Sequence, residues 1–173
     1  SALGGNAEMV SAVGADALGA DAIAILQQRG VGTENVQKHE SRPTGTVEVL
    51  LDAKGHATYK FASNVAWDAL EWSDDLDRQA TRAGAVCFGS LGQRSESSRH
   101  TIQRFVLATL PEALRIFDVN LRSPFVSEQV ILESLELANV LKLNEAELAV
   151  LAELCGLTGS SVEILQTLAE RFD

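Results

Sequence analysis

Residues 114–147 read LRIFDVNLRSPFVSEQVILESLELANVLKLNEAE, and their order decides the fold class. The run 114–117 reads as a strand, 127–137 as a helix and 140–143 as a second strand. Just upstream, 85–88 is a strand and 97–107 a helix; just downstream, 145–154 and 161–172 are helices. Strands that alternate with helices predict a parallel sheet covered by helices. Toward the start of the chain, 7–13 reads as a buried strand ended by Gly14. Asp16 then caps a helix over 17–29, whose Leu18, Ile23, Ile25 and Leu26 give it an apolar face, with Gly30 as the stop.

One stretch breaks the alternation. Two β-rich runs, 46–51 and 56–61, flank Asp52, Ala53, Lys54 and Gly55. That is a hairpin signature. A protruding flap and an edge hairpin of the main sheet fit the pattern equally well. The acidic stretch 64–77, with Trp67 and Trp72, connects the hairpin to a short or irregular helix before Gly84.

Composition narrows the function. The 173 residues carry a net charge of −10, against a nucleic-acid surface, which needs a basic stripe, and against anionic membranes. No apolar run is long enough for a membrane span. Cys87 and Cys155 both lie in apolar runs and are expected to be buried free thiols, which fits a cytoplasmic setting. No Cys-x-x-Cys, Gly-x-Ser-x-Gly or Gly-x-Gly-x-x-Gly pattern occurs, and His39, His56 and His100 lie in unrelated contexts. A zinc site, a hydrolase triad and a dinucleotide fingerprint are therefore not expected.

Ligands of open α/β sheets bind beyond the carboxyl ends of the strands. There the chain places Gly89 and Ser90, then Asp118, Asn120 and Arg122, then Lys142, Asn144, Glu145 and Glu147. Arginine offers a planar charged fork for phosphate oxygens, and Glu and Asn offer oxygen ligands suited to magnesium. Each also has a plainer reading. Asn144 and Glu147 have capping-box spacing. Asp118 can fix its own loop, and Arg122 can be a surface ion pair. Lys142 inside an apolar strand can snorkel from an edge position.

Taken in order, these residues resemble the ribokinase-like (pfkB family) sugar kinases, with the fructokinase branch the most similar. The matching segments are 10–19, Gln28-Arg29-Gly30-Val31, Arg42-Pro43-Thr44-Gly45-Thr46, Phe88-Gly89-Ser90-Leu91, the D-x-N-x-R of Asp118, Asn120 and Arg122, and the N-x-x-E of Asn144 and Glu147. The resemblance implies a three-layer αβα sheet, mostly parallel, over 1–36 and 62–173, with a β-hairpin lid at 37–61. It implies ATP-dependent phosphorylation of a small sugar such as fructose. Gly89, Asn120 and Arg122 would face the sugar, and Arg122 would offset charge on the moving phosphoryl group. Lys142 and Asn144 would face the nucleotide phosphates, and Glu147 would organise Mg2+. A homodimer through the lid is a further expectation.

Two departures accompany the resemblance. Gly4-Gly5-Asn6 does not have the spacing of the family's Gly-Gly-x-x-x-Asn sugar motif. The family's Gly-Ala-Gly-Asp motif, which supplies an anion hole and the proton-accepting Asp, does not occur. The chain is therefore expected to be an internal part of a longer one and inactive alone. The competing readings are a non-catalytic ligand-binding or regulatory module with a kinase-like half-fold, and a short flavodoxin-like domain, which leaves the hairpin unexplained.

Overall fold

A computed structural model describes residues 4–51, 55 and 57–172. Residues 52–54 of the expected hairpin loop, and His56 at the start of its second strand, lie outside the described residues. Contacts divide the chain into two units, Ser1–Leu76 and Asp77–Asp173.

In the first unit the single strand read over 7–13 is two strands, β1 (Ala7–Glu8) and β2 (Ser11–Gly14). The chain breaks at Met9, whose N–H donates to Gly32 O at 2.9 Å. Each strand then pairs in parallel with a different partner. β1 pairs with β3 (Val31–Gly32), and β2 with β4 (Val36–His39). Between them runs α1 (Ala17–Gln28), whose first turn is capped by Asp16 Oδ1 accepting from Gly19 N at 2.8 Å. Gly19 sits so close to β2 that a Cβ there would collide with the Gly14 carbonyl.

The next strands, β5 (Val47–Leu51) and β6 (Ala57–Phe61), form an antiparallel hairpin. It is a two-stranded sheet of its own. Its register sets Val47 opposite Phe61, Val49 opposite Tyr59 and Leu51 opposite Ala57, so one face is apolar. The other face alternates, with Glu48 opposite Lys60 as an exposed ion pair at 3.8 Å. The apolar face is exposed, Leu51 at 69%. At the hairpin root, Thr44 N donates to Asp16 Oδ2 at 2.8 Å and Thr44 Oγ1 to Asp16 Oδ1 at 2.6 Å. Thr44 Oγ1 also accepts from Gly14 N at 2.9 Å. These bonds, the Thr44 hydroxyl first, hold the Asp16 carboxyl below the usual aspartate range. The connection onward contains a one-turn 3-10 helix at Ala66–Ala69, and the division between units falls within α2 (Asp74–Ala80).

The second unit is built on a parallel three-stranded sheet, β7 (Ala85–Gly89), β8 (Leu114–Asp118) and β9 (Val140–Lys142), in that order. Its helices are α3 (Glu96–Leu107), α4 (Glu128–Leu137), α5 (Glu145–Cys155) and α6 (Ser161–Arg171). They begin at Ser95, Ser127, Asn144 and Ser160, each accepting a backbone N–H three residues on, as good N-caps do. One sheet face carries Phe88, Phe117 and Leu141, with the two rings stacked at 5.4 Å between centroids. It packs on Ile131, Leu135, Leu148, Leu151 and Leu168 from α4, α5 and α6. Each such fully buried side chain contributes roughly 1.5–3 kcal/mol.

The opposite face carries Cys87, Ile116 and Val140 in register. Cys87 is exposed and Cys155 half-buried, which corrects the expectation of two buried thiols. An apolar run shows only that a strand is β-prone; it does not show that both faces are covered. Burial of part of the thiol and the nearby Asp118 carboxylate still push the Cys87 pKa up.

Candidate functional site

The carboxyl ends of β7, β8 and β9 are level, with Gly89 opposite Asp118 and Asp118 opposite Lys142. This brings Gly89, Ser90, Asn120, Arg122, Lys142 and Asn144 to one end of one sheet, as the sequence predicts. A Cβ on Gly89 would lie 3.1 Å from Asp118 O, so glycine lets β7 end this close to β8.

Lys142 donates to Asp118 Oδ1 at 2.9 Å and Oδ2 at 3.1 Å. The pair raises the Lys142 pKa, with burial opposing it. Lys142 is therefore a firm ammonium. Its side chain is 62% exposed, and it escapes the apolar strand from the end position of the sheet. A third N–H remains for an anionic ligand.

The loop after β8 is held from several sides. Asn120 has φ +39, a left-handed conformation that Asn tolerates better than most residues. Among the described residues its side-chain amide has no hydrogen-bond partner. Arg122 donates from Nη1 to Leu121 O at 3.0 Å. Arg94 stacks its guanidinium over the Phe125 ring at 4.6 Å. Ser90, only 4% exposed, donates to Val119 O at 2.7 Å. Its hydroxyl is spent on backbone. One turn on, Gln93 donates to Gly89 O at 3.1 Å and to Ser134 Oγ at 2.9 Å.

Asn144 and Glu147 form the capping box that their spacing suggests. Asn144 Oδ1 accepts from Glu147 N at 2.9 Å, and Glu147 Oε2 accepts from Asn144 N at 2.9 Å. A third bond leaves the helix, because Glu147 Oε1 accepts from Leu121 N at 3.1 Å. Glu147 is 5% exposed. This bond joins residues 26 apart in sequence, and no local signal foretells it.

Among the described residues no group of three His, Cys, Asp or Glu could hold a metal ion. Magnesium bound with substrate phosphates needs only one or two carboxylates, and Glu147, whose two oxygens already accept backbone N–H groups, fits its water shell rather than the ion itself. The fit to polyphosphate is better, since Lys142 and the N-terminus of α5 both favour an anion. A separate cavity of about 510 Å3 lies within the first unit, lined by Asn35, His39, Glu71 and Trp72 among others, and contains none of these residues.

A family profile described as pfkB family carbohydrate kinase matches residues 1–172. A fructokinase of Salmonella typhimurium is 32% identical over 153 residues, which is 84% of this chain and 49% of that protein. The crystal structure of an uncharacterized sugar kinase from Pyrococcus horikoshii in complex with ATP superimposes with a TM-score of 0.78 at 28% identity, covering 90% of this chain and 53% of that one. A fructokinase from Xylella fastidiosa superimposes with a TM-score of 0.84 at 21% identity, over 97% and 53%, which speaks for the fold alone. The parallel α/β sheet expected from the alternation of elements, and the ribokinase-like fold that the resemblance implies, are found. The chain spans about half the length of the curated relatives it matches.

Proposed function

Because the chain belongs to the pfkB family of carbohydrate kinases, we propose that it is part of an ATP-dependent kinase that phosphorylates a hydroxyl of a small sugar, with fructose the first candidate. The observation that carries this reading is the convergence of Gly89, Asn120, Arg122, Lys142 and Asn144 at the level ends of β7, β8 and β9. In the reaction the sugar oxygen forms a bond to the γ-phosphorus, and the bond from that phosphorus to the ADP oxygen breaks. The leaving ADP keeps that electron pair.

Gly89 lets the sugar approach the strand ends, and Asn120 offers an amide to its hydroxyls. Arg122 offsets charge that builds on the transferred phosphoryl group. Lys142, fixed in charge by Asp118, and Asn144, at the start of α5, face the nucleotide phosphates. The sugar's proton passes to a carboxylate of the Gly-Ala-Gly-Asp type, a motif these 173 residues do not contain. Glu147 would orient the water shell of a Mg2+ ion bound with the ATP phosphates, where the ion would neutralise phosphate charge, since both carboxylate oxygens already accept amides. The hairpin β5–β6 is the lid, and its apolar face pairs with its copy in a second subunit. Two free thiols suit a reducing, cytoplasmic compartment.

The test is ADP formation by the intact natural protein with ATP, Mg2+ and a panel of sugars. Fructose-dependent turnover is expected, falling about 100-fold or more in Arg122→Ala. The 173-residue stretch alone is expected to show none. If the intact protein makes no ADP with any sugar, the reading is wrong, and the non-catalytic binding module takes its place.

A further inference from the structure

Asn120 is the one residue of the site with a left-handed backbone, at φ +39. Both peptide groups beside it are held by buried side chains from other elements. On the preceding side, Ser90 donates to Val119 O at 2.7 Å from the turn after β7. On the following side, Glu147 Oε1 accepts from Leu121 N at 3.1 Å from the first turn of α5. Ser90 is 4% exposed and Glu147 5% exposed, so neither bond competes with bulk water. Ser90 is itself fixed, because Gln93, 1% exposed, holds the carbonyl of Gly89 just before it.

We propose that Ser90 and Glu147 are positioning residues that together hold Asn120 in its left-handed conformation and so aim its side-chain amide at the sugar. A residue in a sparsely populated backbone region persists only where its surroundings over-determine it. Here two side chains do so, one on each side, and the amide they orient has no partner among the described residues. The same bond makes Glu147 the link between the Asn144 loop, on the nucleotide side, and the Asn120 loop, on the sugar side. This rests on the kinase reading above for the identity of the ligand, but not for the geometry.

The experiment is Ser90→Ala in the intact protein, read two ways. Steady-state kinetics are expected to show a KM for the sugar raised about ten-fold or more, with the KM for ATP within about two-fold of wild type. Amide hydrogen exchange is expected to show faster exchange at Leu121 in the variant, without general loss of protection in α3 and α4. A hydroxyl that served folding alone would lower the amount of folded protein and leave the sugar KM of the rest unmoved; that result overturns the proposal. If wild type phosphorylates no sugar, the kinase reading fails by itself. Positioning of Asn120 is then decided by exchange: faster at Leu121 supports it, and an unchanged rate overturns it.

Discussion

Both carboxylate oxygens of Glu147 accept backbone N–H groups while the residue is almost wholly buried. Replacing it with Ala strands the amides of Leu121 and Asn144 and removes the third-position partner of the helix cap. The expected loss is about 3 kcal/mol of unfolding free energy, seen as a lower urea midpoint at unchanged m-value. A cost below about 1 kcal/mol would mean that water replaces the carboxylate readily. Sequence spacing revealed half of this arrangement. The capping box follows from Asn144 and Glu147 standing three apart, whereas the bond to Leu121 exists only because β8 and β9 are neighbours. Lys142 divides the same way. Its position in an apolar strand marked it as unusual, but Asp118 became its partner through the register of β8 and β9.

At the level of elements, the alternation of strands and helices was legible because it rests on local periodicity. β4 was not. Of Val36, Gln37, Lys38 and His39 only Val36 is buried, so the segment reads as polar loop, and pairing with β2 makes it a strand. The break between β1 and β2 was hidden for the opposite reason, since an apolar run gives no sign of where a strand changes partner. The root of the hairpin yields a pH prediction. Asp16 caps α1 and binds Thr44 by two bonds, and its pKa is lowered. A carboxylate lowered in the folded state adds stability that is full above its unfolded pKa and lost as pH falls through the folded one. The thermal stability of wild type is therefore expected to fall on acidification below the ordinary aspartate range. Asp16→Asn should be less stable at neutral pH and lose less on the way down. Parallel pH curves for the two proteins would remove Asp16 as the cause.

At the scale of the whole molecule, the proposed lid pairing has a direct test. Val47, Val49, Leu51 and Tyr59 are each about half exposed or more on the hairpin, a larger apolar stripe than scattered surface residues explain. Leu51→Lys is expected to shift the intact protein from dimer to monomer in sedimentation equilibrium, and an unchanged dimer would place the interface elsewhere. The stripe also governs the protein as a colloid. With a net charge of −10, copies repel at long range, and salt near 0.1 M shortens that repulsion to about 10 Å. Contact between apolar stripes does not depend on that charge. Added salt should therefore tighten self-association rather than loosen it. A preparation that stays clear in dilute buffer should turn cloudy first where ionic strength is raised, with the hairpin as the sticky end.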